Sequence, residues 1–211
     1  MDDYVEKYSK EPENSVKSVA KSGKSGIINE KSKKPITKIT DNAINNIKKV
    51  HITGYTDEQC VEIQKQHKEL LEYSRNNNDN KEVSFVFRKD LTDREIFTGS
   101  DDKLEFGYAL NGKGRDLIVL HNHPRNSSFS TTDIEFFSSN DSIKTLTIVK
   151  NNGKIEILTK SDMFDFSTFA KEYNRLYKKI VKSGTDSEKD KFVRSLLAKS
   201  KAGVIWIENW W

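Results

Sequence analysis

The chain is 211 residues long, with 34% hydrophobic and 32% charged residues, a net charge of +4 and one cysteine. That length holds one sizeable domain with an appendage, the lone Cys60 excludes an internal disulfide framework, and so small a charge excess gives no strong case for nucleic-acid binding. No apolar run approaches the roughly 20 residues that span a bilayer, and the opening Met1-Asp-Asp-Tyr-Val-Glu-Lys7 lacks the basic start and apolar core of a secretory signal, so a soluble protein is expected.

Residues 1–37 are rich in Lys, Ser, Glu and Asn and are expected to form a flexible basic linker or arm. Gly23-Lys-Ser-Gly26 lacks both the glycine spacing and the preceding strand of a phosphate loop. Asp41 is expected to cap a short helix through Ile47, and His51-Ile-Thr53 to be extended. Thr56-Asp-Glu-Gln59 has the form of a capping box. It opens an amphipathic helix in which Cys60, Ile63, His67, Leu70 and Leu71 recur at helical spacing to about Ser74. His67 and His51 have nothing of ligand spacing near them and are expected to be structural, and Cys60 reads as a small buried hydrophobe.

Glu82-Val-Ser-Phe-Val-Phe87 alternates as a strand does, and Arg94 to Thr98 reads as its partner across the polar turn Lys89–Asp93. Leu104 to Leu110 is expected to be a short helix or irregular crossover, followed by a turn at Asn111-Gly-Lys-Gly114. Leu117-Ile-Val-Leu120 is a buried strand that runs into His121-Asn-His123-Pro124, and Ser130-Thr-Thr-Asp133 opens a helix. Thr145–Val149 and Lys154–Leu158 flank the hairpin signal Asn151-Asn-Gly153. Two amphipathic helices follow, carried by Phe169, Tyr173, Leu176, Tyr177 and Ile180 and by Phe192, Val193, Leu196 and Leu197. The end, Val204-Ile-Trp-Ile207 with Trp210 and Trp211, reads as a final strand or lid on the domain, or as an interaction surface. This order of elements predicts an α/β (α+β) domain: a mixed β-sheet flanked by helices.

The candidate site lies where the Leu117 strand ends. Side chains two apart on a strand point the same way, so His121 and His123 can present their imidazoles to one point. Asp133, three residues after a capping Ser130, falls in the first helical turn, where the backbone dipole favours a carboxylate. Two imidazoles and a carboxylate with room for water make the ligand set of an open zinc site. The plainer alternative is a pair of hydrogen-bonded imidazoles beside an ordinary N-cap. Each piece is common alone, and their combination between an apolar strand and a helix favours metal.

These residues resemble the JAB/MPN (JAMM) zinc metalloprotease family, whose pattern is an early Glu, then His-x-His-Pro, then Ser-x-x-Asp. The His121-Asn122-His123-Pro124 form is similar to its RadC-like branch. The resemblance covers roughly residues 55–160 and implies a JAB/MPN-like (cytidine deaminase-like) fold over residues 38–165, with residues 166–211 packing on it. It implies Zn2+ held by His121, His123 and Asp133, Glu82 as general base and then acid, Ser130 as donor to the developing oxyanion, and a protein or peptide substrate cleaved at a peptide or isopeptide bond. Glu95, Glu105 and Asp102 stand as alternatives to Glu82 if the strand register differs. One departure is the loop Pro124–Phe129, a residue shorter than the family's usual spacing, on which the reach of Asp133 depends. More loosely, residues from Ile39 onward resemble C-terminal extensions of phage minor head (head morphogenesis) proteins, which implies a phage, prophage or effector setting, a phage head or host protein as partner, and a cytoplasmic (host cell) or virion-associated location. The alternatives from other classes are a non-catalytic binding module of a phage head protein and a metal-dependent nuclease-like effector. The adjacent letters His-Asn-His do not make an HNH nuclease, whose histidines and asparagine are spread over a hairpin and a helix.

Overall fold

The structure, a computed structural model, describes residues 34–100 and 115–209. Its centre is a six-stranded mixed sheet in the order β2-β1-β3-β4-β5-β6. The strands are β1 (Val83–Arg88), β2 (Glu95–Thr98), β3 (Leu117–His123), β4 (Ile143–Lys150), β5 (Ile155–Lys160) and β6 (Val204–Asn209). Only β3 and β4 run parallel, and α3 (Thr131–Ser139) makes the crossover between them; every other neighbouring pair is antiparallel. This is the mixed sheet with flanking helices that the order of elements predicts.

Helices cover both faces, and strand alternation assigns each residue to one of two cores. Val83, Phe85, Phe87, Ile118, Leu120, Val149, Ile155 and Ile157 meet α1 (Asp41–Asn45) and α2 (Asp57–Asn77) through Ile44, Cys60, Ile63, Leu70 and Leu71. Val86, Leu117, Val119, Leu146, Ile148 and Leu158 meet α3, α4 (Phe166–Ile180) and α5 (Asp186–Lys199) through Ile134, Phe137, Phe169, Tyr173, Phe192 and Leu196. Such two-sided burial is what central strands of an α/β sheet experience, and β3, β4 and β5 are buried along their whole lengths.

Thr56 forms the capping box with Gln59, and α2 runs to Asn77, a few residues past the expected end at Ser74. The first short helix is capped by Thr40, with Asp41 inside its first turn, so the cap stands one residue earlier than Asp41. His51–Thr53 is not a strand; it belongs to an irregular connection into α2. The crossover and turn expected at Leu104–Leu110 and Asn111–Gly114, like Trp210 and Trp211, lie outside the described residues. Among the described residues no helix is long and apolar enough to cross a membrane.

His67 is buried, with Nε2 2.7 Å from the Thr147 hydroxyl. Burial, reinforced by His121, pushes its pKa down to about 3. Between that value and the unfolded value of about 6.5, the unfolded chain binds a proton that the folded chain refuses, so this stability is complete above the unfolded pKa and drains away as pH falls. At about 1.4 kcal/mol per unit, the loss is roughly 3 kcal/mol by pH 4. His67→Gln, which keeps a donor for Thr147, should shrink the difference in unfolding free energy between pH 7 and pH 4 by about that amount in urea titrations.

The β4–β5 turn sets a second constraint. Gly153 sits at φ +87, and a Cβ there would run into the Ala43 backbone carbonyl, which cannot swing aside. Gly153→Ala should therefore cost about 2 kcal/mol or more, read as a lower urea midpoint with unchanged slope.

Candidate metal centre

The polar end of β3 is where the two faces of the sheet diverge chemically. His121 and His123 follow Val119 onto the α3 face, and Asn122 follows Leu120 onto the α2 face. The two imidazoles converge, with Nε2 atoms 3.0 Å apart. Asp133 enters from the first turn of α3, its Oδ1 3.5 Å from His121 Nε2 and its Oδ2 3.6 Å from His123 Nε2. Ser130 holds it there: the Ser130 N–H and O–H both donate to Asp133 Oδ2 at 2.7 Å, and the Asp133 N–H donates back to Ser130 Oγ at 3.2 Å. The shorter loop thus leaves Asp133 within reach of both histidines.

Glu82 comes to the same place through sheet pairing. Ser84 stands opposite His121 in the antiparallel β1–β3 ladder, so two steps along the ladder bring Glu82 level with His123 and onto the same face. Its side chain is buried, and the ligand-capable atoms of Glu82, His121 and His123 lie within 4.8 Å of one another. Of the alternatives, Glu95 is exposed on the edge strand β2 opposite Val86, while Asp102 and Glu105 lie outside the described residues. Ser130 is exposed, and its hydroxyl is committed to Asp133. His51 is exposed, and His67 and Cys60 are buried on the α2 side with structural partners: Thr147 for His67, and the Ile52 N–H, 3.4 Å from Sγ, for Cys60.

The electrostatics follow from burial and from Asp133. Burial would lower His121, but its hydrogen bond to Asp133 and the negative field of Asp133 and Glu82 outweigh that and leave it raised. Burial prevails at His123 and pushes it down to about 4. For Asp133 burial acts upward, yet the two imidazoles and the Ser130 backbone hold it well below the usual carboxylate range. Nδ1 of His123 faces the Ser127 carbonyl at 3.1 Å and the Ser127 hydroxyl at 2.9 Å. An Nδ1–H donated to that carbonyl leaves Nε2 with its lone pair toward His121 and Asp133, the arrangement typical of metal-ligating histidines. Nδ1 of His121 is buried without a partner of hydrogen-bond geometry, with the Thr147 backbone nearby.

Glu82, His121 and His123 form a buried group that could hold a metal ion, and Asp133 faces both imidazoles. Ligand atoms 2.0–2.1 Å from a common zinc lie about 3.3 Å from each other. The two imidazole nitrogens here are 3.0 Å apart, and Asp133 meets them through different oxygens, Oδ1 at 3.5 Å from His121 and Oδ2 at 3.6 Å from His123. Two nitrogens and a carboxylate oxygen are also the donor types that zinc accepts.

Several contributors had no clear sign in the sequence. Asn122 Oδ1 accepts the Val83 N–H at 2.7 Å, while Nδ2 donates to Asn151 Oδ1 at 2.8 Å and to the Lys81 carbonyl at 3.2 Å. It fastens the start of β1, and with it Glu82, to the strand carrying the histidines. Its signal was its place: a polar residue between two candidate ligands must face the other way. Ser127, Lys150 and Glu156 surround the site as well, and nothing in their local sequence marks them.

Comparisons of the chain with protein-family models, with curated proteins and with solved structures return no match.

Removing the Asn122 amide would leave the Val83 N–H buried and unpaired. Asn122→Ala should cost about 2–4 kcal/mol of stability, from the orphaned donor and the cavity together. The check is thermal and urea unfolding of the metal-free protein.

Proposed function

We propose that the chain is a zinc-dependent hydrolase of the JAMM type that cleaves a peptide or isopeptide bond. The observation that carries the reading is the convergence of His121, His123 and Asp133 at donor distances of 3.0–3.6 Å, with Glu82 beside them. His121, His123 and Asp133 would hold the metal. Zinc bound there would supply Lewis acidity to a carbonyl and to a water. Ser127 would fix the His123 tautomer through Nδ1, and Ser130 would keep Asp133 turned inward. Glu82, buried and level with His123, would take a proton from the attacking water and return it to the leaving amine. For Ser130 to donate to a developing oxyanion, its hydroxyl must leave Asp133. The looser resemblance to phage minor head proteins suggests a substrate or partner among phage head or host proteins.

The test is zinc content and amidase activity for the wild type, His123→Ala and Glu82→Ala. The reading expects about one zinc per chain in the wild type, little in His123→Ala, and retained zinc in Glu82→Ala with hydrolysis reduced about 10²- to 10⁴-fold, the usual worth of a general base. Loss of zinc in Glu82→Ala would make Glu82 a fourth ligand, closing the site and favouring a structural metal in a binding module. A folded wild type that takes up no zinc would reduce the cluster to a hydrogen-bonded imidazole–carboxylate group and end the hydrolase reading.

A further inference from the structure

Beside the proposed metal centre, four charged side chains from four different elements gather around one loop hydroxyl. Lys150, at the end of β4, is the parallel-ladder partner of His123. Its Nζ lies 2.6 Å from Glu156 Oε1 on β5, and both side chains are almost fully buried, at 6% and 2% exposure. Glu156 in turn stands opposite Glu208 on β6. Glu208 Oε1 accepts from Arg194 Nη1 of α5 at 2.9 Å. Both cations then reach the same acceptor: Arg194 Nη2 donates to Ser128 Oγ at 2.9 Å and Lys150 Nζ at 3.3 Å. Two like-charged carboxylates face each other across β5 and β6, each has its own cation, and both cations lean on Ser128.

Ser128 sits at the joint of the site. The residue before it, Ser127, meets His123 Nδ1; two residues after it, Ser130 holds Asp133. On the far side the loop is anchored by Asn126, whose Nδ2 donates to Thr37 Oγ1 at 2.7 Å, and Phe129 is sunk in the core. Between those anchors Ser127 meets His123 and Ser128 meets the two cations. Stability is a poor reason for such a group, because buried ion pairs gain little over well-packed apolar residues of the same volume. Nor is Glu156 held by a full hydrogen-bond set, since neither of its oxygens meets hydrogen-bond geometry despite the short contact to Lys150.

We propose that the Glu156–Lys150–Ser128–Arg194–Glu208 chain is a positioning device for the metal centre: by fixing Ser128 it sets the Ser127 contact that orients His123 and the Ser130 cap that orients Asp133. The inference rests on the zinc reading of that site. It makes the C-terminal helix α5 and strand β6 contributors to metal affinity although neither supplies a ligand.

The experiment uses the full chain with Ser128→Ala, Arg194→Met and the double variant. Zinc affinity is measured by chelator competition, the ligand-field spectrum is taken of the cobalt-loaded protein, and the unfolding temperature of each metal-free form is recorded. Outer partners of metal ligands typically govern about 10- to 100-fold in affinity. Each single variant is expected to weaken zinc binding within that range and to change the cobalt spectrum. The double variant should be little weaker than the worse single one, because both interrupt one path. Ser128→Ala removes one acceptor from two cations that each keep a carboxylate, so it should lower the metal-free unfolding temperature by only a few degrees and keeps the test open if Arg194→Met folds poorly. A wild type that binds zinc while Ser128→Ala matches it in affinity and cobalt spectrum overturns the positioning role and leaves the zinc reading intact. A wild type that binds no zinc overturns both.

Discussion

Everything at the site depends on a buried strand that ends in polar side chains. All seven residues of β3 are buried, with helices over both faces of the sheet. An unsatisfied polar group in such a place costs several kcal/mol, so His121, Asn122 and His123 must each find partners, and alternation decides which. The histidines turn to the α3 face and meet each other and Asp133; Asn122 turns to the α2 face and meets Val83, Lys81 and Asn151. A one-residue slip of β3 would exchange these surroundings, offering Asn122 to Asp133 and the imidazoles to backbone amides. The same strand end therefore specifies its register and builds the cluster. Asn122 also carries the placement of Glu82, since it holds the amide of the residue next to it.

How much of this is legible in the letters follows from how local each determinant is. His121 and His123 need only the two-residue period of a strand, and Asp133 needs only the cap three residues before it, so their convergence can be read from spacing. Glu82 is different. Its arrival depends on the β1–β3 pairing, which the sequence does not state, and the resemblance to a known family singled it out. Lys150 and Glu156 were invisible for a related reason. In β4 and β5 every residue is buried, and charged residues in such strands read as solvent-facing positions of an alternating pattern. Only the ladder that sets Lys150 beside His123 reveals where they point. Lys160 is a further case: wholly buried, it donates to the Asn140 carbonyl at 2.6 Å beneath Phe137 and Phe164, and burial pushes its pKa down to about 7.

The C-terminal elements share the core of the residues before them. Tyr173, Tyr177 and Phe192 stack and cross at 4.8–5.8 Å between α4 and α5, and this aromatic group belongs to the same apolar cluster as Val119, Ile134 and Leu146. β6 is hydrogen-bonded to β5 along its length. Arg194 and Glu208 extend that continuity into the polar region, linking α5 and β6 to the loop after Pro124. The chain around the site is thus closed by its last described strand. Truncation before α4 would remove one wall of the core together with two of the charges around Ser128.

The six-residue loop between His123 and Ser130 is what brings Asp133 back to the histidine strand. So short a loop must turn sharply, and the turn falls at Asn126, whose φ of +57 lies in the left-handed region. Asn is among the few residues that tolerate that conformation, and its side chain gains from it: Nδ2 reaches Thr37, and Oδ1 accepts the Asn152 N–H at 3.0 Å. The Asn126 N–H bonds the His123 carbonyl at 3.1 Å, closing the turn directly against the histidine strand. Phe129, fully buried, then pins the loop's far end just before the cap. Both ends of the loop are thus fixed, and its bend passes through one permissive residue. Ser130 still begins α3 at a place from which Asp133 faces the two imidazoles.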